Sequence, residues 1–159
     1  MPAEHPSVVR VRAELTARGG SADRIRILDD AARTAAQAAE QLGVEVAQIA
    51  NSLLFDADGA PVLVMASGGH RVDTTKVASI IGAAKVRRED ADFVRDHTGF
   101  AIGGVAPIGH PEQIRTLVDR DLAQYDVLWA AAGHPHAVFP TTYDELVTMT
   151  DGVPADVGE

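Results

Sequence analysis

The chain has 159 residues, 46% hydrophobic and 23% charged, a globular rather than a disordered balance at the length of one compact domain. Lys+Arg is 14 and Asp+Glu is 23, a net charge of −9 with histidine neutral, which argues against a broad phosphate-backbone interface but not against one short nucleic-acid end. Cysteine is absent, which excludes disulfides, thiol nucleophiles and thiolate metal sites.

Residues 1–6 carry no basic stretch followed by an apolar run and read as a flexible N-terminus without a signal peptide. The folded domain is expected over 7–150. Val8, Val9, Arg12, Leu15 and Ala17 sit at helical spacing before Gly19-Gly20 and predict a helix over 7–18. Ile25 to Leu28 reads as a short strand. An Ala-rich helix follows from Thr34 to Leu42, with Asp30 as its expected N-cap and Gly43 beyond its end. Ile49–Phe55 and Pro61–Ser67 flank Asp56-Ala57-Asp58-Gly59 and predict a β-hairpin. A helix capped by Asp73 or Thr74 runs to Ile81. Ala84–Arg87 reads as a short strand and Glu89–His97 as a short helix. The stretch Phe100–Gly109 holds three glycines and a proline in an apolar setting, and Gln113–Val118 fits helix or strand. Asp126–Ala132 pairs with His136–Phe139 across Gly133-His134-Pro135. Thr141 or Thr142 caps a last helix, Tyr143–Met149, and 151–159 reads as a flexible acidic tail. Hairpins alternating with helices imply an α+β domain with a mostly antiparallel or mixed sheet. The longest apolar runs, 62–66 and 127–132, are far too short to span a bilayer, and a cytoplasmic location is expected.

Three segments could carry chemistry. Gly103-Gly104-Val105-Ala106-Pro107 can bring backbone N–H groups close to a carbonyl or a developing oxyanion, with the proline stiffening the loop; spacing alone fits a buried bend as well. Gly133-His134-Pro135-His136 offers a base or a ribose-binding imidazole, or simply a turn. No carboxylate stands at metal-ligand spacing to these histidines, and no metal or other cofactor is expected. Gly68-Gly69-His70-Arg71-Val72-Asp73 with Lys76 could hold an anion, or be an ordinary capped helix start. No serine sits in a nucleophile elbow.

Taken together, Thr34–Val44, Gln48–Phe55, Arg71-Val72-Asp73 with Lys76-Val77-Ala78, Thr98–Gly109, the strand ending Ala132-Gly133 and the closing Thr-x-x-Glu-Leu helix resemble the YbaK/ProX family in order and spacing. That family is the aminoacyl-tRNA editing domain also found inserted in bacterial prolyl-tRNA synthetases. The resemblance implies a single α+β domain with a central mixed, curved sheet flanked by helices. It implies metal-free hydrolysis of the ester between a wrong amino acid and the 3′-terminal adenosine of a tRNA, with an aminoacyl-tRNA synthetase as a further partner. The family's Gly-x-x-x-Pro loop maps to Gly103–Pro107. The family's hallmark lysine falls at Asn51, before Ser52, where a neutral amide replaces an ammonium.

The catalytic candidates are then Asn51, Gly103 and Gly104. Ser52, Ile102, Val105, Ala106 and Pro107 are expected to line the pocket. Arg71 or Lys76 would supply charge, and His134 or His136 would stand near the substrate. The alternative to a hydrolase is a weak or inactive member that binds aminoacyl-tRNA ends or a related small ligand.

Overall fold

The computed structural model describes residues 5–18, 22–32 and 34–159. Its elements are α1 (Pro6–Ala17), β1 (Arg26–Ile27), α2 (Ala35–Leu42), β2 (Ile49–Ala57), β3 (Ala60–Ser67), α3 (Thr74–Ile81) and β4 (Val86–Arg88), then α4 (Ala91–Thr98), β5 (Arg115–Asp119), β6 (Leu128–His134), β7 (Ala137–Thr141), α5 (Tyr143–Thr150) and β8 (Val153–Ala155). The strands form one mixed sheet in the order β1-β7-β6-β2-β3-β5-β8, with β4 on β2 beside this path. The α+β expectation with a mixed sheet holds. No helix among the described residues is long and apolar enough to cross a membrane.

Local chemistry explains most element ends. Asp73, Asp90 and Thr142 cap α3, α4 and α5, each accepting backbone N–H bonds of the first turn. At α2 the cap is Thr34, whose side chain accepts the Gln37 N–H at 3.2 Å, and not Asp30. Gln41 instead clamps Asp30, accepting its N–H at 3.2 Å and donating to its carbonyl at 3.0 Å. Residues 1–4 of the expected flexible N-terminus lie outside the described residues. His5 belongs to the folded part, because its Nδ1 accepts the Ser7 N–H at 3.1 Å and Pro6 opens α1.

Three apolar clusters sit on the two faces of the sheet. One face carries Ala50, Leu54, Leu63 and Met65 under α1 (Val8, Val11, Leu15) and the segment holding Phe100, Val105 and Ala106. The other carries Phe55, Val62, Val64 and Ala66 under Val77 of α3, and Ile49 under Ala38 and Ala39 of α2. This period of two along β2 decides later which side chains share a face.

Two expectations are corrected here. The β6–β7 turn is Pro135-His136, and β6 runs on through Gly133 and His134 because a bulge between Ala131 and His134 re-aims the strand. Residues 151–159 are not a loose tail. Val153–Ala155 pairs in parallel with Leu117–Asp119, Val157 is fully buried, and Val72 bridges Gly158. Burial of alternate apolar residues on the open edge of β5 holds this segment, and Pro154 is tolerated because the strand is at the sheet's rim.

Candidate functional site

A split in the sheet makes the site. β6 pairs with β2 only at Ile49–Trp129 and Ala50–Ala130, and β4 takes the same edge only from Phe55 to Ala57. Between them the edge of β2 at residues 51–54 has no neighbouring strand among the described residues. Ala57 and Ala60 face each other across a two-residue turn, and the Ile49 carbonyl accepts the Gly68 N–H at 2.8 Å, so odd-numbered residues of β2 bond toward β3. The backbone groups of Ser52 and Leu54 therefore point into the opening.

A cleft of about 340 Å³ runs through this split. Its walls on one face come from Thr34, Ala35 and Ala38 of the α2 region, with Ile49, Asn51 and Leu53. On the other face stand Ser52, Leu54, Val94, Ile102, Gly103 and Val105, with His134 and Pro135 beyond Ala130. Arg88 and Glu89 close the end at β4, and Trp129 borders the end at β6. Asn51 and the glycine loop thus border one cleft from opposite faces of the sheet. By the pleat it is Ser52, not Asn51, that shares the loop's face.

The loop is fixed at both ends. Phe100 is buried beneath the Arg10 guanidinium, 4.3 Å over its ring, and Arg10 donates to the Thr98 carbonyl at 3.3 Å. At the far end His110 Nε2 donates to the Ala106 carbonyl at 2.8 Å. Ala101–Gly104 forms a turn closed by the Gly104 N–H on the Ala101 carbonyl at 3.0 Å. Gly103 occupies φ +90°, open to glycine at no steric cost, and Ile102 projects 52% exposed at the rim. Gly103 borders the cleft, and its N–H has no acceptor among the described residues. Gly104 is different, because its N–H is engaged and it lies against the His134 backbone.

Other expected site residues fall elsewhere. Ala106 and Pro107 are buried behind the loop and do not line the cleft. Arg71 is exposed away from it, with its carbonyl accepting the Glu159 N–H at 3.0 Å. Lys76 is engaged by the C-terminal segment, donating to the Gly158 carbonyl at 2.6 Å and facing Asp156 at 3.6 Å. Neither cation reaches the cleft, because α3 packs on the far part of the sheet. His136 also lies outside it. Its N–H donates to His134 Nδ1 at 3.1 Å, and the two rings stack at 5.3 Å. His134 alone of the pair borders the cleft, and its ring also lies 4.6 Å from that of His5.

The composition of the rim adds residues that motif spacing does not reveal: Arg88, Trp129 and the α2 positions Thr34, Ala35 and Ala38. Only the register of β4 and β6 on β2 brings them together. His110 is a second omission, a positioning residue acting through the Ala106 carbonyl.

Among the described residues one His–acid group has metal-like spacing: His70, Asp119 and Asp121. Asp119 bonds the His70 Nε2 side while Asp121 faces Nδ1 at 3.1 Å, so each ring nitrogen already faces a carboxylate. The buried Asp119 also accepts the Ser67 and Asp121 N–H groups at 3.0 Å each, a brace between β3 and β5.

Burial pulls the His110 imidazole below its ordinary value; the Ala106 hydrogen bond opposes this, and the charges of Arg10 and Arg18 add to the lowering. The unfolded chain therefore binds a proton that the folded one refuses just below about pH 6.5, and stability falls as pH drops through that point. Melting at pH 7.5 and pH 5.5 should show a larger acid loss for wild type than for His110→Gln, whose amide can still donate to Ala106. Equal losses would show that His110 is not the group involved.

A family model described as the aminoacyl-tRNA editing domain matches residues 29–149. A crystal structure of a candidate trans-editing enzyme for prolyl-tRNA synthetase superposes with TM-score 0.92 at 38% identity, covering 99% of each chain. A candidate Cys-tRNA(Pro)/Cys-tRNA(Cys) deacylase of Enterococcus faecalis, EbsC, is 26% identical over 78% of this chain and 76% of its own. A proline–tRNA ligase of Limosilactobacillus fermentum is 32% identical over 65% of this chain but only 19% of the ligase.

Proposed function

The chain belongs to the aminoacyl-tRNA editing domain family, and from that premise we propose that it is a deacylase acting in trans on a mischarged tRNA. The observation that carries this reading is the coincidence in one cleft of Gly103, whose N–H has no acceptor among the described residues, with the β2 edge that no described strand pairs. The likeness to a candidate trans-editing enzyme along the full length of both chains supports it.

The ester carbonyl lies against the Gly103 N–H, where peptide dipoles stabilise the oxyanion that forms when water adds to the carbonyl carbon. The bond to the 3′-oxygen of the ribose then breaks, and a proton from the attacking water ends on that oxygen. The products are the free amino acid and a tRNA with a free terminal hydroxyl. Asn51 and the Ser52 backbone orient the acylated ribose by neutral hydrogen bonds. Ile49, Leu53, Leu54 and Val105 sieve the side chain, and since one methylene changes binding by about 1–3 kcal/mol, the amino acid rejected is a small one. The partners are the tRNA 3′ end and a synthetase whose errors it clears, with prolyl-tRNA synthetase the class its relatives favour.

A panel of aminoacyl-tRNAs incubated with the purified protein should show at least one small amino acid released well above the buffer rate. Release from none of them overturns the proposal. Asn51→Lys should change the rate or the preferred amino acid while leaving the melting temperature within a few degrees. An unchanged profile would remove Asn51 from the site.

A further inference from the structure

The cleft has one cation among its described lining residues, Arg88. Arg88 pairs with Phe55 across β4 and β2, and directly opposed residues project to the same face. Phe55, Leu53 and Asn51 alternate along β2, so Arg88 stands on Asn51's face at the other end of the unpaired edge. Its guanidinium makes no ion pair or hydrogen bond with any described residue, and it is exposed at the mouth. Its neighbours are settled differently. Arg87 is paired with Glu89 at 3.1 Å and with Asp56 at 3.4 Å, which turns the one acid of the cleft wall toward the other face of β4. In a chain of net charge −9, an arginine without an ion pair among the described residues, on the face of neutral Asn51, leaves one local point able to take an anion.

We propose that Arg88 is the phosphate-binding residue of the cleft, holding the 5′-phosphate of the terminal adenosine while the acylated 3′ end reaches the Gly103 loop. This rests on the deacylase reading for its substrate. It assigns a charge to that site from a strand edge far in sequence from Asn51. The guanidinium binds and orients and takes no part in bond breaking.

The test compares adenosine, adenosine 5′-monophosphate and inorganic phosphate as ligands of the whole protein, followed by NMR shifts. Wild type should prefer the monophosphate over adenosine by about three- to tenfold, with inorganic phosphate the weakest of the three. Arg88→Gln should bind adenosine and its 5′-monophosphate alike at the wild-type adenosine affinity, and Arg88→Lys should recover part of the preference. With the mischarged aminoacyl-tRNA that wild type cleaves as substrate, Arg88→Gln should raise KM while kcat stays within about twofold. A wild type without the preference, an Arg88→Gln that keeps it, or inorganic phosphate binding as well as the monophosphate would each overturn the proposal. Loss of the preference in Arg88→Gln with no deacylation by wild type would leave Arg88 as the phosphate residue and end the deacylase reading. Deacylation without any role for Arg88 would do the reverse.

Discussion

Replacing Gly133 by alanine should cost this domain a large part of its stability. Gly133 sits in the β6 bulge at φ +99°, a conformation that side chains rarely adopt, and an added Cβ would lie 2.6 Å from the Ser7 carbonyl oxygen and 2.8 Å from its carbon. Those are backbone atoms of α1, so no side-chain rotation relieves the overlap. Either β6 straightens its bulge or α1 withdraws, and α1 carries Val8, Val11 and Leu15 into the main core. Backbone strain alone costs about 1–3 kcal/mol, and lost packing adds several more, against a total of roughly 5–15 kcal/mol for an ordinary domain. The melting temperature should fall by about 10 °C or more. Gly43→Ala is the control. It has φ +70° with nothing within 4 Å of the added Cβ, so strain acts alone and the fall should be a few degrees. If Gly133→Ala melts no lower than Gly43→Ala, α1 is not seated on β6 as described.

The contrast between those two glycines shows what the sequence could carry. Gly43 closes an Ala-rich helix, and its role is legible because cap and helix are neighbours in the chain. The same holds for Asp73 before α3, for Thr142 before α5, and for Asp58-Gly59 between β2 and β3. Gly133 looks like a turn glycine beside Pro135, yet its work is done against Ser7. The site divides in the same way. The Gly103–Pro107 loop is visible as an unusual composition, and Asn51 is visible through the family pattern. The split between β6 and β4 is not, because it arises where two strands from distant parts of the chain stop pairing with β2. Arg71 and Lys76 attract attention as cations near Gly68-Gly69, but Lys76 on α3 and Arg71 just before it lie on another part of the sheet. Arg88 reads as one charge in a run, and only the pairing with Phe55 turns it to the cleft. The C-terminal strand was hidden by its brevity and its proline, since the edge of β5 that stabilises it lies more than thirty residues earlier.

Gly104→Ala should abolish most of the proposed deacylase activity while leaving the chain folded. Gly104 donates its N–H to Ala101, so its contribution is not a hydrogen bond to substrate. An added Cβ would stand 2.9 Å from the His134 Cα, 3.0 Å from its nitrogen and 3.1 Å from its carbonyl carbon. The loop must then lift from β6 by several tenths of an ångström or more, and the Gly103 N–H moves with it. Loss of alignment at one oxyanion donor lowers turnover by roughly 10²–10³-fold, and displacement by about 1 Å is enough to cause it. Stability should suffer less than at Gly133, since Phe100 and His110 hold the loop from both ends and α1 keeps its seat. On the mischarged tRNA that wild type cleaves fastest, the expected result is kcat down by about a hundredfold with KM changed little. Ile102→Ala trims an exposed side chain of the same turn without moving its backbone, and should shift the choice of amino acid more than the rate. A folded Gly104→Ala with kcat within threefold of wild type would mean that the loop's position against β6 has no part in the chemistry.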